Sequence, residues 1–157
     1  MKLIRNRGDQ FVLEFARREY RLLREVLNLF PRIPVTYHQL NPNGDPAETA
    51  EDQRLLEDAL AARKTESRRQ LEAWLEAVKP PPGKAGTWQL KFSMAELDWF
   101  LQVLNDIRVG SWLRLGSPAD PYALDLTREN TGDFVALEYC GFLQSVLLRS
   151  LNERENS

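Results

Sequence analysis

Gly132–Leu151 reads GDFVALEYCGFLQSVLLRSL and sets apolar side chains on almost every side of a helix. A helix of that character belongs inside a core, so this one is expected to be central and buried. Asn130 or Thr131 stands where its N-cap would be. Just upstream, Ser93-x-x-Glu96 spells a capping box, in which each side chain reaches the other's backbone N–H. The helix it opens runs to about Leu115 and ends near Gly116-Ser117-Pro118.

Two more helices precede this pair. Ala16 to Phe30 repeats Tyr20, Leu23, Leu27 and Phe30 at amphipathic spacing, and Pro31 and Pro34 stop it. Glu51 to Val78 carries Leu56, Ala59, Leu60, Leu71, Trp74, Leu75 and Val78, and Pro80-Pro81-Pro82-Gly83 ends it. Its middle, Arg63 to Arg69, is so polar that the helix must either project into solvent there or bend. A solvated face is the simpler reading of that run, with a phosphate or acidic partner as the alternative.

Strands account for the rest. Lys2 to Asn6 and Gln10 to Glu14 flank Arg7-Gly8-Asp9, and Phe11, Leu13 and Phe15 alternate with Val12 and Glu14, which predicts a hairpin. The Arg-Gly-Asp triplet also spells an adhesion motif, but its setting reads as a turn. Trp88-Gln89-Leu90-Lys91-Phe92 alternates likewise and is a candidate third strand. The expected fold is therefore mainly α, a four-helix domain with a small N-terminal antiparallel β-hairpin or sheet. It is read as a single helical domain over 1–157, with a mobile loop at about 31–50, a Pro-rich linker at 79–87 and a frayed tail at 152–157.

Composition narrows the function classes. The 157 residues hold 43% hydrophobic and 28% charged side chains, so a globular core is expected. A net charge of −2 argues against a protein devoted to nucleic acid, whose binding rests on a basic patch neutralising phosphates. One cysteine, Cys140, gives no disulfide framework, and the basic start lacks a following apolar region. No stretch approaches the ~20 apolar residues of a membrane span. The expectation is a soluble, cytoplasmic protein.

Sites of known chemistry are sparse. One His and one Cys give no spacing for zinc or iron, and there is no EF-hand, Walker-type, G-x-G-x-x-G or G-x-S-x-G pattern. A carboxylate-only Mg²⁺ or Ca²⁺ site stays open, but no pattern implies a metal or cofactor, and no catalytic residue is singled out. A pairing of Cys140 or a serine with His38 would need a reactive cysteine or serine, whereas Cys140 sits in an apolar run that reads as core.

The unusual segment is Leu104 to Gly116. Leu97, Leu101, Leu104, Arg108 and Leu115 share a helix face, so Arg108 interrupts a core stripe. A buried guanidinium needs a partner, since an unpaired buried charge costs several kcal/mol. Glu138 is the expected partner and Asp52 the second choice; Asn105 completes the cluster while Asp106 points more to the side. Asn105, Arg108, Arg114 and Glu138 thus form a polar cluster with two readings. One is a salt bridge fixing helix register; the other is an anion or peptide-carboxylate site on Arg108 or Arg114. Gly110 suits close helix approach and ligand approach equally. Trp74, Trp88, Trp99 and Trp112 are read as core or half-buried, with a binding surface as the alternative.

The motif Val103-Leu104-Asn105-Asp106-Ile107-Arg108 with Arg114-Leu115-Gly116, supported by Tyr139-Cys140-Gly141-Phe142-Leu143-Gln144, resembles a bacterial family, the domain of unknown function two-zero-one-seven, best known from actinobacteria. The resemblance implies a hairpin, a helix, a linker with a second helix, and a C-terminal helical pair. Pro80 to Gly86 and the loop after Phe30 look like departures from it. It implies no catalytic residues, and regulatory labels on some members imply a regulator or adaptor. The reading is a non-enzymatic interaction or regulatory protein, adaptor-like, with a protein partner or a homodimer through the aromatic-rich helices. The alternatives are a small-ligand or anion-binding protein, or an enzyme, built on Arg108, Asn105 and Glu138, and a transcriptional regulator, although no helix reads as a basic recognition helix.

Overall fold

The computed structural model describes residues 1–5, 10–40, 43–83 and 85–155. The Arg7-Gly8-Asp9 turn, Pro42, Lys84 and the last two residues lie outside this set. The chain runs β1 (Lys2–Arg5), β2 (Phe11–Phe15), α1 (Arg17–Leu27), α2 (Pro46–Glu76), β3 (Trp88–Phe92), α3 (Met94–Arg114) and α4 (Thr131–Glu155). Short 3₁₀ turns at Val35–Tyr37 and Pro121–Ala123 bridge the longer connections. The protein is mainly α with a three-stranded antiparallel sheet in the order β1-β2-β3.

Side-chain alternation explains the sheet. Phe11, Leu13 and Phe15 pair with Phe92, Leu90 and Trp88, and four of those six are wholly shielded on the core face. Trp74, from α2, meets the Phe92 and Phe100 rings at 4.9 and 5.3 Å, tying sheet, α2 and α3 together. Tyr20 of α1 stacks flat on Trp88 at 4.1 Å.

Helix ends follow local chemistry. Ser93 and Glu96 form the expected capping box, at 3.2 and 2.8 Å. Gly116, at φ +88°, closes α3 with N–H bonds from Gly116 to the Leu113 carbonyl and from Ser117 to the Trp112 carbonyl. α2 starts at Pro46 rather than Glu51, because Asp45 accepts from the Ala47 N–H and a proline opens the first turn. α4 extends to Glu155, through most of the tail expected to fray.

Of the two readings of Arg63 to Arg69 the bend falls: α2 is unbroken there, Arg63, Thr65, Glu66 and Arg69 are exposed, and two of its cations turn inward. The Arg68 guanidinium donates to the Leu27 and Phe30 carbonyls at the end of α1, at 3.2 and 3.1 Å. Lys64 reaches Asp106 on α3 at 2.9 Å and also bonds the Ile33 carbonyl. α4 is not buried all round: Ala136, Leu137, Cys140, Leu143 and Leu147 face the core, while Val135, Phe142 and Leu148 are exposed. Thr131–Glu153 is long and apolar enough, by length and composition, to cross a membrane, at mean hydropathy 1.2, contrary to the expectation that no stretch is. The core helix of a folded domain passes the same test.

Candidate functional site

α3 and α4 pack along one another, and beside their contact runs a groove of about 1070 Å³. Three of the expected site residues meet there: Asn105 and Arg108 from α3, and Glu138 from α4. Arg108 and Glu138 do not pair. The Arg108 guanidinium donates to the Gln144 amide oxygen at 3.1 Å, and Glu138 accepts from the Tyr122 hydroxyl at 3.0 Å. Asp52 lies on an exposed turn of α2.

The reason is angular. The true core stripe of α3 is Leu97, Phe100, Leu104, Ile107 and Ser111, at alternating spacings of three and four. Arg108 follows Ile107 by about 100° around the helix, which carries it out of the core and onto the groove wall. It is exposed there, with its guanidinium 3.7 Å from where a Cβ on Gly141 would sit.

Arg114 joins a different cluster. Its Nε lies 3.1 Å from Asp133, a buried carboxylate in the first turn of α4, and Arg32 pairs with the same oxygen at 2.7 Å. A carboxylate there also faces the positive end of the helix dipole. Arg32 further donates to the buried Ser111 hydroxyl at 2.9 Å.

Asp106 is the residue that sequence reasoning set aside. Its carboxylate takes the Arg32 and Ile33 backbone N–H groups at 2.5 and 3.3 Å, together with Lys64. Gly110 lies beneath: a Cβ there would come within 2.7 Å of the Arg32 carbonyl carbon. The loop after α1 is thus clamped on α3 by an acid, a base from α2 and a glycine that clears its path. The available signal was Gly110-Ser111, two small residues on a face otherwise built of Leu, Phe and Ile.

Aromatic and polar side chains line the groove together. Trp112 lines it and spends its indole N–H on the Pro118 carbonyl at 3.0 Å. Tyr122, Phe142 and Leu148 border it and stay exposed, Tyr122 by 73% and Phe142 by 55%. The Tyr122 phenol is held above its ordinary pKa by its hydrogen bond to Glu138, so it remains a neutral donor at physiological pH. Burial pushes the Cys140 thiol up to about 12, which removes its nucleophilicity at neutral pH. His38 sits exposed at the end of the first 3₁₀ turn, edge-on to Tyr37. Among the described residues no group of three or more His, Cys, Asp or Glu side chains is placed to hold a metal ion. The four tryptophans are all half-buried.

The model of a family described as a domain of unknown function (DUF2017) matches residues 1–151, a span that includes the Pro80–Gly86 segment and the loop after Phe30. No curated protein and no solved structure matches the chain.

Proposed function

The chain belongs to the DUF2017 family, and from that premise we propose that it is a non-enzymatic, adaptor-like interaction protein of the cytoplasm that docks a protein through the outer face of α4 and the α3–α4 groove. The observation that carries the reading is the exposure of Tyr122, Phe142 and Leu148 together around one groove. Large apolar side chains scattered singly need no explanation, but several around one concavity mark an interaction site. The polar groups beside them, Arg108, Glu138 and Asn105, supply orientation in the manner of an interface rim. A buried free thiol suits a reducing compartment.

One observation favours a second reading, an anion or carboxylate site. The hydrogen bond of Arg108 within the groove goes to a neutral amide, so its charge is available to a carboxylate arriving from outside.

A photo-crosslinking residue at Phe142, with a control at exposed Leu55 on α2, tests the proposal in nuclease-treated host lysate. The expected result is a discrete adduct at position 142 that is lost in a Leu148→Asp background. An adduct of equal strength from both positions, or none from either, overturns it. Binding of acetate or a C-terminal peptide that Arg108→Gln abolishes would instead support the second reading.

A further inference from the structure

We propose that the occupant of the exposed α4 face is α4 of a second copy of the chain, packed antiparallel about a two-fold axis; the proposal rests on the interaction reading above. Val135, Glu138, Phe142, Ser145, Arg149 and Asn152 are all exposed and recur at alternating spacings of three and four. That spacing sets all six on one face of α4, with Val135 and Phe142 as its apolar members. A closed two-fold interface must be complementary to itself, residue i meeting j while j meets i.

This face meets the condition about the point midway between Phe142 and Ser145. Antiparallel pairing there sets Glu138 of each copy against Arg149 of the other, and Phe142 against Ser145. Acid meets base, and a large ring meets a small side chain. The Ser145 hydroxyl already donates to its own Gly141 carbonyl at 3.0 Å, so covering it strands no donor. Val135 meets Asn152 at each end, and Leu148 borders the seam on both copies. Parallel pairing of the same face would stack Glu138 on Glu138 and Arg149 on Arg149, which like charges oppose. The apolar exposure of α4 and its charge order thus point to one orientation.

Sedimentation equilibrium of the full chain tests this, with circular dichroism to confirm that each variant folds. The wild type is expected to be a concentration-dependent dimer. Glu138→Arg or Arg149→Glu alone places like charges together twice by symmetry and is expected to weaken the dimer by about tenfold or more. The double variant Glu138→Arg/Arg149→Glu is expected to return to within about threefold of wild type, because the pair is restored with its signs exchanged. A folded chain that stays monomeric up to its solubility limit overturns the proposal, and so does a dimer that the charge exchange does not rescue. If that monomer still gives the Phe142 adduct with another protein, only the self-association falls; with no adduct, the interaction reading falls too. A monomer that co-sediments with anionic vesicles would overturn both in favour of a lipid surface.

Discussion

Removing the Asp106 carboxylate tests the architecture most directly, because three donors converge on it. The Lys64–Asp106 pair lies at 2.9 Å, with side chains only 16% and 12% exposed, so solvent screens it weakly. Asp106→Ala strands that ammonium, which keeps only the Ile33 carbonyl, and frees the Arg32 and Ile33 N–H groups. A hydrogen bond to a charged group contributes about 1.5–3 kcal/mol, and breaking a buried pair costs about 3–5 kcal/mol. Since these terms overlap and the site is only partly buried, the expected loss is about 3–4 kcal/mol. Asp106→Asn keeps an acceptor for the backbone and loses the charge, for about 1–2 kcal/mol. Lys64→Met should cost a similar amount, and the double variant should show about 1–2 kcal/mol of coupling. Urea unfolding followed by circular dichroism gives these differences, and amide exchange at Arg32 and Ile33 should accelerate in parallel. An Asp106→Ala loss under about 0.5 kcal/mol, the range of an ordinary surface change, would refute the clamp.

Arg108→Ala should change stability by less than about 1 kcal/mol, because the side chain is exposed on the groove wall and not sealed in the core; the same unfolding assay reads it. Gly110→Ala should destabilise by about 2–3 kcal/mol or more, since its Cβ would lie 2.7 and 2.9 Å from the Arg32 carbonyl carbon and oxygen, whereas Gly132→Ala, with nothing within 4 Å, should be neutral or slightly stabilising. Thermal melts of the two variants side by side check this. Cys140 should resist thiol reagents at pH 8 in the native protein and react once urea unfolds it. Because burial raises its folded pKa, the stability linked to its neutral form is fully present below the unfolded value of about 8.5 and is lost as pH rises toward the folded value. With that folded value about 12, stability should fall through this alkaline window, and Cys140→Ala should flatten the fall.

Local rules made much of the fold legible. The alternation of Phe11, Leu13 and Phe15, the Ser93–Glu96 box, Gly116 and the Tyr20-Leu23-Leu27-Phe30 stripe each act within a few residues, and each stands where its chemistry put it. Of the expected polar cluster, Asn105, Arg108 and Glu138 do line one groove, but Arg108 bonds Gln144 and Glu138 bonds Tyr122. Helical spacing determines which residues lie on one face. Which face turns to the core depends on the neighbours that cover it. On α3, Leu101, Arg108 and Leu115 shared one stripe in projection, yet Phe100, Ile107 and Ser111, one turn-fraction away, took the interior. Arg114 and Asp133, nineteen residues apart, met only because α3 and α4 run side by side.

The amino-acid sequence by itself therefore settled the main elements, the Ser93–Glu96 cap and the mainly helical class, because periodicity and capping are short-range interactions. Only the tertiary structure decided that Asp106, Lys64 and Arg32 form a clamp and that one apolar side of α4 remains uncovered. Those outcomes depend on which surfaces meet across the chain, and a charge's partner is chosen by the packing that brings it within reach.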